Sequence, residues 1–484
     1  MDIVTCINDS GSTIDFLKVL NNKIAELLSP IRFEPSSLDY GKYIADLGYY
    51  IYSKARDIIK STLEEMDMYF FNLKGRSKRY YSKGYRKREI ITIFGHITFY
   101  RHEYIDKDTK KPFIYVDEKI GLHRRDRYDP TVCAKIYERY AYTNSMINVG
   151  KDIGLGLNTP FSLNENRLLD VIPRQTVWKI LHRFKKIEIP IEPLDTPNTL
   201  YVMADEKYIP SQNNNSQKIM TKEIIVHEGI KTIYKTINSQ TGQIYTRNEL
   251  INPRRFISCD SNNLFDSVND YINEAYDTDK IKKVYLMGDG GSWIESGLNE
   301  LRGYSYSADY GLDKFHFILA VNTISKDDNI KNLLYDYSIN NRRKDFNTLI
   351  ESIIKNNPSR KETIADKANY IRNHFHEIQI MYKDIKIGCA MEQAISHDIM
   401  SIFTSLPKGY AKKWLPFYLN ERENYLNGYD LIKIYLISLD LTTNNSEENE
   451  ISLKKQLNTS YFDNQITEET YTLPKIAAIS ISKH

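Results

Sequence analysis

Cysteine is scarce in this chain: four residues in 484, at Cys6, Cys133, Cys259 and Cys389, with no C-x-x-C spacing among them. That excludes a disulfide framework and a cysteine-built zinc site, and leaves four small hydrophobes for the interior. Long apolar runs are also missing; none approaches the ~20 residues a membrane span needs, so no membrane association is expected. Met1–Ser10 lacks the basic start and apolar stretch of a secretory signal, which points to a cytoplasmic protein. Excess charge is absent as well. A formal net charge of +3 does not by itself argue for nucleic acid. What is there is a hydrophobic content of 41% in a chain long enough for more than one domain.

The distribution of charge says more than its sum. From Lys74 to Ile90, "KGRSKRYYSKGYRKREI" holds eight Lys/Arg, one Glu and three tyrosines. Such a run can neutralise phosphates and offer rings for stacking, or it can be a solvated basic loop. Before it, residues 1–70 repeat apolar side chains at helical spacing. After it the period becomes two, and "REIITIFGHITFYRHEYID" predicts a hairpin around Phe94-Gly95-His96 that presents Arg86, Lys87, Arg88, Arg101 and His102. A basic β module is thus expected over 71–128.

Helical periodicity returns over 129–188. A helix over Thr131–Leu155 ends in "GLGLN", and Ile172–Lys186 places Val177, Ile180, Leu181 and Phe184 on one side with Lys179, Arg183 and Lys186 on another. Pro173 suits a first turn, so Arg174 and Gln175 stand at the helix start. The pattern fits a helix-turn-helix that puts its second helix in the major groove, and equally a packed pair with a solvated basic face. Pro190, Pro193 and Pro197 then mark a connector.

Beyond it, three strand-like segments ("TLYVMADEKYI", "KEIIVHEGI", "KTIYKTINS"), a helix and a fourth strand predict an α/β domain of ribonuclease-H type. Two strands run into an acid: "TLYVMADEKYIP" at Asp205 and "KKVYLMGDGGSW" at Asp289. An Asp-Gly-Gly after a strand is ordinarily a turn. If the two strands are neighbours, however, both carboxylates reach one sheet edge. At ~4 Å they repel by roughly 4 kcal/mol at an effective dielectric near 20. Mg²⁺ or Mn²⁺ offsets that with hard oxygen ligands, and two such ions can act on both sides of a phosphodiester. Glu392, in "IGCAMEQAISHDIMSIF", offers a third carboxylate on a helix. Glu206 alternates to the other strand face and Trp293 reads as core. Lys314 and His316, in "LDKFHFIL", can reach a phosphate or simply start a helix.

In order along the chain, "TIFGHITFYRHEY", "PRQTVWKIL", "ADEKYI", "VHEG", "GDGGSWI", "LDKFH" and "AMEQAISH" resemble the ISLre group of bacterial insertion-sequence transposases, relatives of the mutator-type transposases. The resemblance implies a DDE transposase with Asp205, Asp289 and Glu392 as first, second and third acid, in a ribonuclease-H-like domain over 198–445. It makes the helical stretch at about 313–386 an insertion, with 446–484 a tail. It also implies two Mg²⁺ or Mn²⁺ ions, double-stranded DNA (terminal inverted repeats and target) as partner, and a homodimer or higher assembly on DNA. At the third acid this chain has Ala-Met-Glu-Gln where the family usually has Ala-Glu-Gly-His, and it lacks the arginines that follow. The alternative is a decayed or repurposed DNA-binding protein.

Overall fold

The computed structural model describes residues 37–123, 125–156, 171–212, 218–237, 244–260, 264–303, 305–385, 387–404 and 409–443. Residues 1–36, the turn expected after "GLGLN" and the tail 446–484 lie outside them. The chain divides into two compact units, residues 1–136, 150–190 and 432–484 against residues 137–149 and 191–431. No helix of the described residues is long and apolar enough to cross a membrane.

In the first unit a long helix, α1 (Ser37–Asn72), packs on the hairpin β1 (Tyr80–Thr92) and β2 (Gly95–Asp106), with β3 (Pro112–Phe113) at its edge. Period two governs burial in β2: Ile97 and Phe99 point inward with Leu63 and Ile90 into the unit's core, while His96, Thr98 and Tyr100 face solvent. Arg101 falls in the same inward series.

The helix expected over Thr131–Leu155 is two helices, α2 (Pro130–Thr143) and α3 (Met146–Gly156). Asn144 interrupts them with φ of 47°, a left-handed conformation that Asn tolerates, and donates from Nδ2 to the Tyr410 hydroxyl at 2.7 Å. α4 (Arg174–Leu181) is likewise shorter than the periodicity predicts. Val177, Ile180, Leu181 and Phe184 are buried as expected, but Phe184 lies past the helix end.

The second unit holds a mixed sheet of five strands: β4 (Thr199–Pro210), β5 (Lys218–His227), β8 (Arg254–Ser258), β9 (Lys283–Gly288) and β10 (Ser307–Leu312). Their order is β10-β9-β4-β5-β8, with β5 antiparallel to both β4 and β8, and β9 parallel to both β4 and β10. "KTIYKTINS", expected as the third strand of this sheet, instead forms β6 (Ile230–Ile237) in a separate ribbon with β7 (Ile244–Leu250). Its side chains from Lys231 to Lys235 are all exposed, so the segment has no buried face to bring to a sheet.

Alternation gives the sheet two unlike faces. Leu200, Val202, Ala204, Ile224, Val226, Val284 and Leu286 pack under α5 (Leu264–Ala275) and α6 (Ser292–Glu300). Met203, Asp205, Glu223, Ile225, Arg255 and Met287 take the opposite face, by register. After β10 come five helices with their own core: α7 (Lys314–Ile324), α8 (Asp328–Ile339), α9 (Arg343–Asn356), α10 (Lys361–Asn373) and α11 (Phe375–Lys383). The chain then returns to the sheet, where α12 (Met391–Ile395) packs on β4 and the Ala390 N–H meets Met203 Sδ at 3.3 Å. A π-helical turn (Ser396–Met400) continues it, and α13 (Leu415–Leu426) follows.

Candidate active site

Asp205 does not end its strand. It stands in the middle of β4, which continues to Pro210 paired with β5, while the parallel neighbour β9 stops pairing at Met203↔Met287. The gap beside Asp205 is thus made by the shorter strand. Gly288 closes β9 tightly: a Cβ there would lie 2.8 Å from Ile294 Cδ1 and 3.1 Å from the Ala204 carbonyl. Asp289 follows, and its Oδ1 accepts from the Gly291 N–H at 2.9 Å. The ordinary turn role is therefore realised, on a strand next to the one carrying Asp205.

Asp205 is 8% exposed and accepts the Glu206 N–H at 2.7 Å. Burial raises its pKa from 3.8 to about 6; the Glu206 N–H and the charge of His316 oppose the rise, and the charges of Asp289 and Glu392 add to it. Four side chains from β4, the β9 turn, α7 and α12 therefore sense one another. His316 links Glu392 to Asp313: its Nδ1 lies 2.9 Å from Asp313 Oδ2 and its Nε2 lies 3.2 Å from Glu392 Oε1. Hydrogen bonding to Asp313 raises the His316 pKa against the effect of burial, and the charges of Asp313, Asp289 and Glu392 add to it. Asp313 in turn caps α7 by accepting the Phe315 N–H, and donates its own N–H to the Gly288 carbonyl at 2.8 Å.

A carboxyl group whose pKa folding has raised opposes folding once it ionises. Without divalent ions the native state is expected to lose stability as pH rises from about 4 through about 6, by on the order of 3 kcal/mol. Asp205→Asn removes the loss. Urea titrations should show the variant gaining on wild type between about pH 4 and about pH 7; a gap that stays constant with pH would mean that the Asp205 charge is already compensated.

The remaining expected site residues fall into two groups. Arg86, Lys87, Arg174, Gln175, Lys179 and Arg183 are exposed in the first unit. Of these, Arg183 is held by Asp126 at 2.6 Å, and Lys87 pairs with Glu89 at 2.6 Å. Arg88 donates to the carbonyls of His123 and Asp126 at 3.1 and 2.8 Å, which fixes a loop. Arg101, expected on the presented surface, is buried instead, with Nε and Nη2 each 2.8 Å from an oxygen of Asp117. In the second unit Lys314 lies over the Tyr382 ring at 5.0 Å. Glu206 accepts from the Trp293 indole on the other face of the sheet, and Lys222 lies 4.5 Å over that indole.

Asp398, six residues after Glu392, is buried and 2.8 Å from Arg255 Nε. Nearby, Glu223 is wholly buried, and burial together with Asp398 drives its pKa well above the usual carboxylate range. Sequence reasoning missed Asp313, Tyr310, Tyr370 and His374 around the Asp289 turn. Only the Tyr370/His374 spacing of four, one helical turn, could have hinted that the last two act together.

Among the described residues, no group of three or more His, Cys, Asp or Glu side chains stands close enough to hold a metal ion. Taken singly, Asp205, Asp289 and Glu392 are hard oxygen donors, and Asp205 is buried with its charge only partly compensated. Glu392 is the donor already engaged, by His316.

The sequence profile of an uncharacterised protein family, UPF0236, matches residues 45–436. The chain belongs to that family. A UPF0236 protein of Caldanaerobacter subterraneus subsp. tengcongensis, whose name joins eleven locus designations, is 25% identical over 390 residues, 78% of this chain and 76% of that one. Another UPF0236 protein from the same organism, with four designations, is 22% identical over 386 residues, 78% of this chain and 76% of its own length. A UPF0236 protein in the vanSb 3′ region of Streptococcus gallolyticus is 29% identical over 233 residues, 47% of each chain.

Proposed function

We propose that the chain is a DDE-type DNA transposase that cuts at the ends of its element and joins the freed 3′-hydroxyl to target DNA. The observation that carries this is that the buried Asp205 feels the charges of Asp289, Glu392 and His316, with His316 Nε2 3.2 Å from Glu392 Oε1. Counted along the chain, the sheet order is fifth-fourth-first-second-third, with the first three strands antiparallel, and this supports a ribonuclease-H-like reading. The five-helix block between β10 and α12 stands where such a domain would carry its insertion. A relative whose name joins eleven designations in one organism is what repeated insertion of a mobile element leaves behind.

Asp205, Asp289 and Glu392 would hold Mg²⁺ or Mn²⁺, which supplies Lewis-acid stabilisation of the phosphodiester and a more acidic nucleophile. His316, its pKa raised, is suited to donate from Nε2 to a non-bridging phosphate oxygen once Glu392 releases it. In the first step water attacks phosphorus, the P–O3′ bond breaks and the leaving oxygen takes a proton. In the second that 3′-hydroxyl attacks a target phosphorus in line and displaces another 3′ oxygen, with no covalent protein–DNA intermediate.

Incubation of the full chain with DNA carrying the element's inverted repeats is expected to give Mg²⁺-dependent nicking and joined products, both abolished by EDTA. End binding without any cleavage would favour the second reading, a DNA-binding protein without catalysis, which the engaged Glu392 also allows. On this reading the exposed Arg86 and Lys87 are the phosphate contacts of the hairpin. Neutralising each should lower the slope of log K against log salt by ~0.9 on any DNA sequence. Arg88→Gln should instead lower stability, because its guanidinium holds two backbone carbonyls. Unchanged slopes in gel-shift titrations would make the hairpin a solvated surface.

A further inference from the structure

The turn that aims Asp289 is gripped from β10 and from outside the sheet. Asp289 uses its own side chain on the Gly291 N–H. The Gly290 N–H donates to the Tyr310 hydroxyl at 2.8 Å, and the Asp289 carbonyl accepts from the Tyr370 hydroxyl at 2.7 Å. Gly290 has φ of 92°, and the space where its Cβ would stand is taken by His374, whose Nε2 would be 2.8 Å away. His374 is 8% exposed, and its ring centroid lies 5.1 Å from that of Tyr370.

Tyr370 and His374 belong to neither strand of the site. Tyr370 lies in the last turn of α10 and His374 just past its end, and α10 anchors Ile364, Ala368 and Ile371 in the core of the helical block. That core fixes their positions. Burial raises the Tyr370 pKa, so the phenol keeps its proton and remains a donor.

We infer that Tyr370 and His374 are positioning residues for Asp289, so that the metal affinity of the carboxylates depends on the helical block. This rests on the transposase reading only in taking Asp289 as a ligand. A carboxylate held at a turn can swing with its backbone, and fixing the carbonyl on one side and the glycine on the other removes that freedom before an ion arrives. The helical block is then no passive spacer: whatever it grips or releases is felt at Asp289.

Tyr370→Phe removes one oxygen and keeps the ring; His374→Gln replaces the imidazole ring with an open-chain amide of similar reach. Mn²⁺ binding to the full-length protein, followed by electron paramagnetic resonance, is expected to weaken about 10- to 100-fold in each variant, the range seen when groups that orient metal ligands are lost. Affinity for inverted-repeat DNA should stay unchanged, and cleavage by Tyr370→Phe should recover at raised Mn²⁺. Tyr335→Phe, in the same block but packed on Phe317, should bind Mn²⁺ as wild type does. Wild-type Mn²⁺ affinity in both Tyr370→Phe and His374→Gln would overturn the inference. A wild-type protein that binds no Mn²⁺ would overturn the ligand reading of Asp289 itself, and so separates the two failures.

Discussion

Asp205→Asn is expected to abolish the proposed strand cleavage and joining, by on the order of 10³-fold or more, with binding of inverted-repeat DNA left at the wild-type level. The amide keeps the shape of the carboxylate and removes its charge, so on the proposed reading the protein loses a hard-cation ligand and little else. The same variant should be more stable than wild type near neutral pH without divalent ions. It no longer ionises a buried carboxyl whose pKa folding had raised to about 6. Loss of activity with gain of stability is the mark of a group kept for function at a structural cost. A structural aspartate would show the reverse. Asp289→Asn and Glu392→Gln should also lose cleavage, whereas Asp398→Asn should act on stability, because Asp398 is buried against Arg255. Strand-transfer gels and urea titrations on the four variants separate these outcomes. Full activity of Asp205→Asn would end the carboxylate reading.

Arg101→Ala is expected to produce the largest loss of stability in the first unit, about 3–5 kcal/mol, because it leaves Asp117 buried and uncompensated. Asp117→Ala should cost a similar amount for the converse reason. Replacing both residues with leucine should cost far less than either single change, since no charge is then stranded. Chemical denaturation of the three variants tests this. If Arg101→Ala left stability unchanged and weakened DNA binding instead, the buried pair would not be what holds Arg101.

Arg101 also shows how much of the structure could be read in advance. Charge groups it with Arg86, Lys87 and Arg88, yet the alternation Ile97, Phe99, Arg101 places it on the inward face. Period two was the better guide, because pleat geometry decides side-chain direction before charge does. The opposite error occurred at "KTIYKTINS". Its β-branched and aromatic residues correctly announced a strand, but strand propensity does not say which partner a strand takes. The five-stranded sheet passes it over for β8, whose Phe256 and Ile257 are buried.

The strand that carries Asp205 and the one that leads into Asp289 were legible because both contain continuous apolar runs, which a sheet covered on both faces can bury. Helical spacing likewise announced the block after β10 and the buried side of α4. These are local matters: neighbouring side chains repeat with the geometry of their own element, and the amino-acid sequence by itself determined them. The partners of individual charges were decided by tertiary structure alone. His316 meets Glu392 across 392−316 = 76 residues, and Tyr370 reaches the Asp289 carbonyl across 81. Asp398, six residues beyond Glu392 on the same helical segment, turns to Arg255 instead. No periodicity encodes such meetings. They depend on where one shorter strand stops beside another, and on which helix the folded chain lays over the gap.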